Sequence, residues 1–172
     1  MWKQRAGIIS AMGLGNGFGG RMLCLNQTKF PKLPFEIEVE VQLENESGAA
    51  GIVFHSDGKN KHYGFYPTNG SIRLTRFEGP NVFSWTILDT IQSQAYLPGE
   101  WNRLRVRLEE NGRMICTVND EVVIDMIDHG LNSGSVGLCK FREPTARFRF
   151  FRVSKRFPKS EITATFSNKV RK

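Results

Sequence analysis

Apolar and polar side chains alternate strictly in two stretches of the chain. Between residues 35 and 43 the odd positions are apolar and the even positions polar, and residues 102–109 repeat the pattern with Leu104, Val106 and Leu108 on one side. Successive side chains of an extended strand point to opposite faces, so each stretch predicts a β-strand with one buried and one polar face. No segment shows a convincing helical period.

Further strand-like segments follow at short, regular intervals. They are residues 51–55, 63–66, 71–75, 83–88, 113–118, 121–126, 135–141 and 147–153. Turn-forming residues separate them, among them the pairs Asn69-Gly70 and Asn111-Gly112, which supply the positive φ that tight hairpins require. About a dozen short antiparallel strands in one chain predict an all-β fold of two packed sheets.

Composition supports a single domain with reduced cysteines. The chain has 172 residues, 40% of them hydrophobic, which suffices for one core but not comfortably for two. Its three cysteines, Cys24, Cys116 and Cys139, are far apart, and each lies in an apolar run. They are therefore interpreted as free core thiols, not as a disulfide framework or a zinc site.

The net charge of +7 is concentrated at the C-terminus. Residues 155–172 contain six basic side chains against the single acid Glu161, which leaves only about +2 for the rest of the chain. Nucleic-acid binding needs a basic face with aromatics on the folded body, so no nucleic-acid partner is predicted. No apolar run approaches the roughly 20 residues of a membrane-spanning helix, so no membrane partner is predicted either.

No cofactor or metal is predicted. The glycine-rich stretch 13–20 precedes a strand-like segment, whereas a phosphate-binding loop needs a helix after it. Oxygen ligands for calcium are scattered without a spaced loop motif. They come from Asp57, Asn60, Asp89, Asn119, Asp120, Asp125 and Asp128. The N-terminus also lacks the layout of a signal peptide, so the compartment stays unassigned.

Two segments carry a family signal: Gly-Glu-Trp-Asn at residues 99–102 and Gly-Ser-Val-Gly-Leu at residues 134–138. With the strand order around them, residues 2–155 resemble bacterial laminin-G-like modules grouped with the three-keto-disaccharide hydrolase-like domains. The resemblance implies a two-sheet antiparallel jelly-roll sandwich of the concanavalin A-like type. It also favours a fragment of a larger bacterial protein, in which the basic tail 156–172 leads to a further domain.

In related folds a concave sheet face binds carbohydrate. The first hypothesis is therefore a non-catalytic ligand-recognition module, with carbohydrate as its partner. The alternatives are a glycoside or keto-sugar hydrolase and a structural or protein-interaction spacer.

The candidate binding face comes from the strands between residues 52 and 87. The residues assigned inward are Ile52, Phe54, Tyr63, Phe65, Ile72, Leu74, Phe83, Trp85 and Ile87. The opposite face then carries His55, His62, Tyr66, Arg73, Thr75, Phe77, Ser84 and Thr86. Of these, His55, Tyr66, Arg73 and Phe77 are the predicted ligand-binding residues. Aromatic rings pack under the C–H faces of sugars, and polar groups fix the hydroxyls.

The candidate catalytic residues are Glu36, Glu38 and Glu40, which share one face of a strand. The run resembles the acidic signature of family-16 glucanases, although Glu38 stands where that signature has Asp. Against this hypothesis, arginines at 103, 105 and 107 have the same period. If the two strands are neighbours, cross-strand ion pairs on a solvent-facing surface explain both rows, and this interpretation is favoured.

Overall fold

The computed structural model of the protein describes residues 1–28 and 31–158. These residues form strands and two single-turn 3-10 helices, Phe18–Gly20 and Val82–Ser84, and this part of the chain contains no α-helix. The strands are β1 (Trp2–Arg5), β2 (Ile8–Ala11), β3 (Met22–Leu25), β4 (Phe35–Leu43), β5 (Ala49–Ser56), β6 (Lys61–Thr68), β7 (Ser71–Glu78), β8 (Trp85–Ile91), β9 (Asn102–Leu108), β10 (Arg113–Val118), β11 (Glu121–Ile127), β12 (Ser135–Phe141) and β13 (Ala146–Ser154).

The strands form two antiparallel sheets. The seven-stranded sheet has the order β1-β2-β13-β4-β9-β10-β11, and the six-stranded sheet has the order β3-β12-β5-β6-β7-β8. Strands distant in sequence, such as β4 and β13, are neighbours, as in a sandwich whose chain crosses between sheets. The predicted jelly-roll sandwich is confirmed.

The main core lies between the sheets and follows the predicted alternation. Val39 on β4 and Val106 on β9 meet Phe54 and Leu74 from the other sheet, and all four are fully buried. Each such side chain contributes roughly 1.5–3 kcal/mol by leaving water. Alternation therefore assigned the inward faces of β4 and β9 correctly.

The three cysteines are free, as expected. Cys116 and Cys139 are buried, and burial raises the pKa of the Cys139 thiol to about 12. Within the described residues, no group of three or more His, Cys, Asp or Glu side chains is placed to hold a metal ion. The helices of this part of the chain are also too short to cross a membrane.

The inward assignment was wrong on β8. The β7–β8 pairing shifts between Leu74 and Thr75, and Leu88 is the extra residue on β8. Such a bulge reverses the alternation that follows, so Trp85 and Ile87 pair beside Phe77 and Thr75 on the outer face. Phe83 precedes the strand in a 3-10 turn and is 95% exposed.

The packed body extends past residue 155. Phe157 is buried, and its backbone N–H donates to Glu36 Oε2 at 2.6 Å. The phenyl ring lies 5.4 Å from the guanidinium carbon of Arg105 and 5.0 Å from that of Arg152. The remainder of the predicted basic tail, residues 159–172, lies outside the described residues.

Candidate functional site

A second apolar cluster covers the outer face of the six-stranded sheet. Tyr66 of β6, Phe77 of β7 and Phe141 of β12 are buried at its centre. The Phe77 ring stacks on Phe141 at 5.6 Å between centroids and on Trp85 at 6.0 Å, with interplanar angles of 15° and 11°. Four strands therefore contribute one continuous aromatic surface on the side of the sheet away from the core.

Two glycines leave room for this surface. A Cβ at Gly51 would lie 2.2 Å from the Phe65 carbonyl oxygen and 2.9 Å from the Cα of Tyr66. A Cβ at Gly64 would meet the Tyr66 ring at 3.0 Å. Glycine thus lets Tyr66 lie flat over the sheet, since any side chain at these positions would have to move it.

The glycine-rich segment 13–20 supplies a wall of the site. Its Phe18 ring lies 5.8 Å from Trp85 and 6.4 Å from Phe77. The neighbouring Gly19 has φ of 66°, which favours glycine, and its carbonyl accepts the Arg142 N–H at 2.7 Å. The segment that sequence analysis excluded as a phosphate loop therefore positions an aromatic side chain.

Between these elements lies a cavity of about 200 Å³. Its lining consists of Phe18, Gly19, Ala49, Tyr66, Arg73, Phe77, Trp85, Phe141 and Arg142. The floor is buried and aromatic, whereas Phe18, Arg73, Trp85 and Arg142 are half-buried at the rim. Three of the four predicted binding residues, Tyr66, Arg73 and Phe77, thus meet in one cavity.

Hydrogen-bond donors at this cavity lack partners. Arg73 Nε and Trp85 Nε1 are buried and have no hydrogen-bond acceptor among the described residues. The Arg73 guanidinium carbon lies 5.8 Å from the Trp85 ring. Burial raises the pKa of Tyr66 to about 12, so its hydroxyl stays protonated at neutral pH. Buried donors without acceptors are rare, and here two of them adjoin a space that a ligand can occupy.

Lys140 holds two parts of the wall in place. It lies in β12 but is fully buried, and its Nζ donates to the carbonyl oxygens of Gly13, at 2.6 Å, Arg142 and Glu143. Burial lowers the pKa of this amine. Because one ammonium ties the glycine-rich segment to the turn after β12, Lys140 positions both Phe18 and Arg142. Sequence reasoning missed it, although a lysine at an inward position of an apolar strand was a detectable signal.

His55, the fourth predicted residue, does not line this cavity. It has a left-handed φ of 50°, and the β5–β12 pairing is irregular beside it, so the alternation of β5 breaks there. His55 instead lines a smaller cavity of about 70 Å³ with Tyr63 and Asp128. Burial lowers its pKa to about 4.

The histidine at the aromatic surface is His62. Its ring stacks on Phe77 at 4.6 Å, and its Nε2 lies 3.3 Å from Nη1 of Arg21. Burial first, and then the charge of Arg21, lower the pKa of His62 to about 4. The imidazole is therefore neutral at physiological pH and supports the ring above it.

The glutamates of β4 lie on the outer face of the other sheet. Glu36, Glu38 and Glu40 are register partners of arginines 107, 105 and 103 on β9. The expected cross-strand ion pairs form at Glu36 and Glu38, whereas Glu40 pairs with Arg149 of β13. Arg105 Nε donates to Glu38 Oε2 at 2.9 Å, and Arg152 from β13 approaches the other oxygen. The expectation of a solvent-facing row was wrong at Glu36 and Glu38, which are buried because arginine side chains and Phe157 cover them.

The comparisons with known proteins agree with this architecture. Carbohydrate-binding module CBM66 from Bacillus subtilis superposes with a TM-score of 0.73 at 17% identity, covering 90% of this chain and 91% of that one. The botulinum neurotoxin serotype D ligand-binding domain in complex with N-acetylneuraminic acid gives 0.56 at 10% identity, covering 91% of this chain and 41% of that one. Sheep galectin-11 gives 0.53 at 15% identity, covering 81% and 98%. At these identities the similarity shows the fold alone.

Sequence comparison is more specific. The search of curated proteins finds no match to this chain. The sequence model of the family described as the 3-keto-alpha-glucoside-1,2-lyase-like domain, however, matches residues 2–154. This span contains both sheets and every residue that lines the aromatic cavity. The chain therefore belongs to the 3-keto-alpha-glucoside-1,2-lyase-like domain family.

Proposed function

We propose that this protein is a carbohydrate-recognition module and that the aromatic cavity on the six-stranded sheet is its binding site. The observation that carries the proposal is a cavity with an aromatic floor whose rim residues Arg73 and Trp85 hold buried donors without acceptors. Apolar C–H faces of a sugar suit the rings, and its hydroxyl oxygens suit the free donors.

The size of the cavity favours a single sugar residue. Pockets for drug-sized ligands usually measure roughly 300–1,000 Å³. The cavity here, at about 200 Å³, is smaller. We therefore expect it to hold one residue, such as the end of a glycan, while neighbouring residues of the glycan extend past the rim.

Binding without catalysis is better supported than hydrolysis. Among the described residues, the side chains that line the cavity include no carboxylate and no imidazole. Glu36, Glu38 and Glu40 lie on the other sheet, where guanidinium groups engage their oxygens. Glycoside hydrolysis needs two carboxyl groups flanking the scissile bond. The names of the similar structures, a carbohydrate-binding module and a galectin, support the same proposal. The larger bacterial parent protein stays a prediction.

A glycan-array screen followed by calorimetry tests the proposal. Trp85→Ala removes a stacking surface and a free donor, and should weaken binding at least tenfold, since packing of a sugar's C–H face on the indole and one hydrogen bond together exceed about 1.4 kcal/mol. Trp101→Ala is the matched control, because that indole packs on Arg149 at 4.3 Å on the other sheet. Equal losses in both variants, or no bound glycan with folded protein, would refute this site.

A further inference from the structure

The arginines in the described part of the chain fall into two groups, according to whether they have a carboxylate partner. Eight have a carboxylate partner: Arg76, Arg103, Arg105, Arg107, Arg113, Arg147, Arg149 and Arg152. All except Arg76 belong to the seven-stranded sheet. Within the described residues, Arg21, Arg73 and Arg142 have no such partner. Arg73 and Arg142 line the aromatic cavity, and Arg21 packs against Phe77 of its floor. Arg5 and Arg156 also lack one, but they are exposed to solvent.

Arg73 is the least satisfied of the three. Its Nε is buried without an acceptor, and its guanidinium makes no hydrogen bond to a described residue. Its cross-strand neighbours are Tyr66 on β6 and Thr90 on β8, neither of which carries negative charge at neutral pH. A half-buried guanidinium with a buried donor and no counter-ion has unused hydrogen-bonding capacity, so an anion at this position would be bound favourably.

Arg142 and Arg21 add positive charge around the same space. Arg142 Nη1 donates to Ser47 O at 2.8 Å and to Thr68 Oγ1 at 3.0 Å, which fixes the guanidinium beside the cavity with neutral partners only. Arg21 lies under the site, with its guanidinium carbon 5.5 Å from the Phe77 ring.

The carboxylate whose charge favours the protonated form of Arg21, and so raises its pKa against the effect of burial, is Asp57. Asp57 lies in the β5–β6 turn and is not part of the cavity lining. It already accepts the backbone N–H groups of Lys59 and Lys61. The charge around the cavity is therefore positive and is not neutralised by the residues that line it.

From this arrangement we infer that the cavity selects an acidic saccharide, a sugar residue bearing a carboxylate or sulfate group, over its neutral counterpart. The inference rests on the proposed carbohydrate-binding function. Arg73 supplies the charge-assisted contact to the anion, and Arg142 adds a second cation at the rim. Guanidinium groups suit this role because their planar donors match the oxygens of carboxylates and sulfates.

The test uses a glycan array on which every acidic glycan stands beside its neutral counterpart. The pairs are uronates and their carboxyl-reduced forms, sialylated glycans and their desialylated forms, and sulfated glycans and their desulfated forms. The best pair is then measured by calorimetry. The wild-type protein should bind the acidic member about tenfold or more tightly than the neutral one, as expected for a charge-assisted hydrogen bond. Comparison of the carboxylate and sulfate arms identifies the preferred anion.

Variants assign the preference to the cavity. Arg73→Gln should abolish the preference for acidic glycans, and Arg142→Gln should reduce it. Arg73→Lys, which keeps the positive charge, should retain part of the preference that Arg73→Gln loses. Arg5→Gln is the control, because it removes the same charge from an exposed position on β1 and should leave affinity within about twofold. Circular dichroism checks that each variant is folded.

The outcomes separate the two proposals. The inference is overturned if the protein binds acidic and neutral glycans equally well, and if Trp85→Ala abolishes this binding while Arg73→Gln does not. The proposed function would then still stand. Absence of any glycan binding overturns both. If Arg5→Gln reduces the preference for acidic glycans as much as Arg73→Gln does, the preference reflects general attraction to a basic protein. That result also overturns the inference.

Discussion

The two outer faces of the sandwich use arginine in opposite ways. On the seven-stranded sheet, Arg105 and Arg107 of β9 face Glu38 and Glu36 of β4, so charge is neutralised within the protein. On the six-stranded sheet, Arg73 stands among aromatic rings without a carboxylate. The difference indicates that the paired face stabilises the fold, whereas the unpaired face is available to a ligand.

The two outer faces also differ in whether side chains cover the surface or leave a cavity in it. The row of glutamates is covered by long arginine side chains and by Phe157. The aromatic face keeps a cavity, since Gly51 and Gly64 leave space over the sheet and Phe18 forms a wall above it. A surface becomes a candidate site here through the combination of vacant volume and unpartnered donors, neither of which suffices alone.

Among single substitutions, the largest effect on stability is expected from breaking the paired face at Glu38. Glu38→Gln keeps the shape but removes the charge between Arg105 and Arg152 at a side chain only 2% exposed. Breaking a buried ion pair should lower the free energy of unfolding by about 3 kcal/mol. Urea titration at pH 7 would measure this loss. Glu44→Gln is the control, because the Glu44–Arg147 pair is half-exposed and should contribute less than about 1 kcal/mol. Similar losses in both variants would show that burial does not distinguish the pairs.

Acidification should destabilise the aromatic face next. The folded-state pKa of His62 is about 4, against an ordinary value of 6.5, so the unfolded state binds more protons between these values. The neutral His62 imidazole contributes at most about 3 kcal/mol to the free energy of unfolding. This contribution is fully present above pH 6.5 and is lost as the pH falls toward 4. His55 adds a term of the same sign.

Urea titrations at pH 7, 5.5 and 4.5 measure this loss. His62→Gln should flatten the dependence by about half, because His55 remains. The acids with lowered pKa, such as Asp57 and Asp128, titrate below this window. A pH-independent unfolding free energy in the wild-type protein would contradict the burial of both imidazoles.

The smallest expected effects on stability come from single arginine substitutions, one on each outer face. Arg105→Gln removes one of two partners of Glu38 and should cost about 2 kcal/mol of unfolding free energy. Arg73→Gln removes no ion pair and should change stability by no more than about 0.5 kcal/mol. A large loss in Arg73→Gln would mean that this arginine is structural and would remove the contrast between the faces.

Part of the candidate site could be predicted from the sequence. Tyr66, Arg73 and Phe77 share a face because alternation is a local property of β6 and β7. The matching periods of β4 and β9 predicted the Glu36–Arg107 and Glu38–Arg105 ion pairs, but at Glu40 the partner is Arg149 of β13. The prediction failed at Trp85, where a bulge reversed the alternation, and at His55, where a left-handed residue interrupted it. Both irregularities depend on pairing with another strand and leave no signal in the period.

The sequence by itself determined the strands, the inward faces of those with unbroken alternation such as β4 and β9, and the two rows of opposite charge on them, since these follow from side-chain spacing within single strands. Only the tertiary structure decided that Phe18, Phe141 and Arg142 meet residues 66–85 around one cavity. That meeting depends on the order of strands in the sheet and on Lys140, which ties two distant segments together. Contacts between segments far apart in the chain are fixed by packing the whole sandwich, which no local pattern encodes.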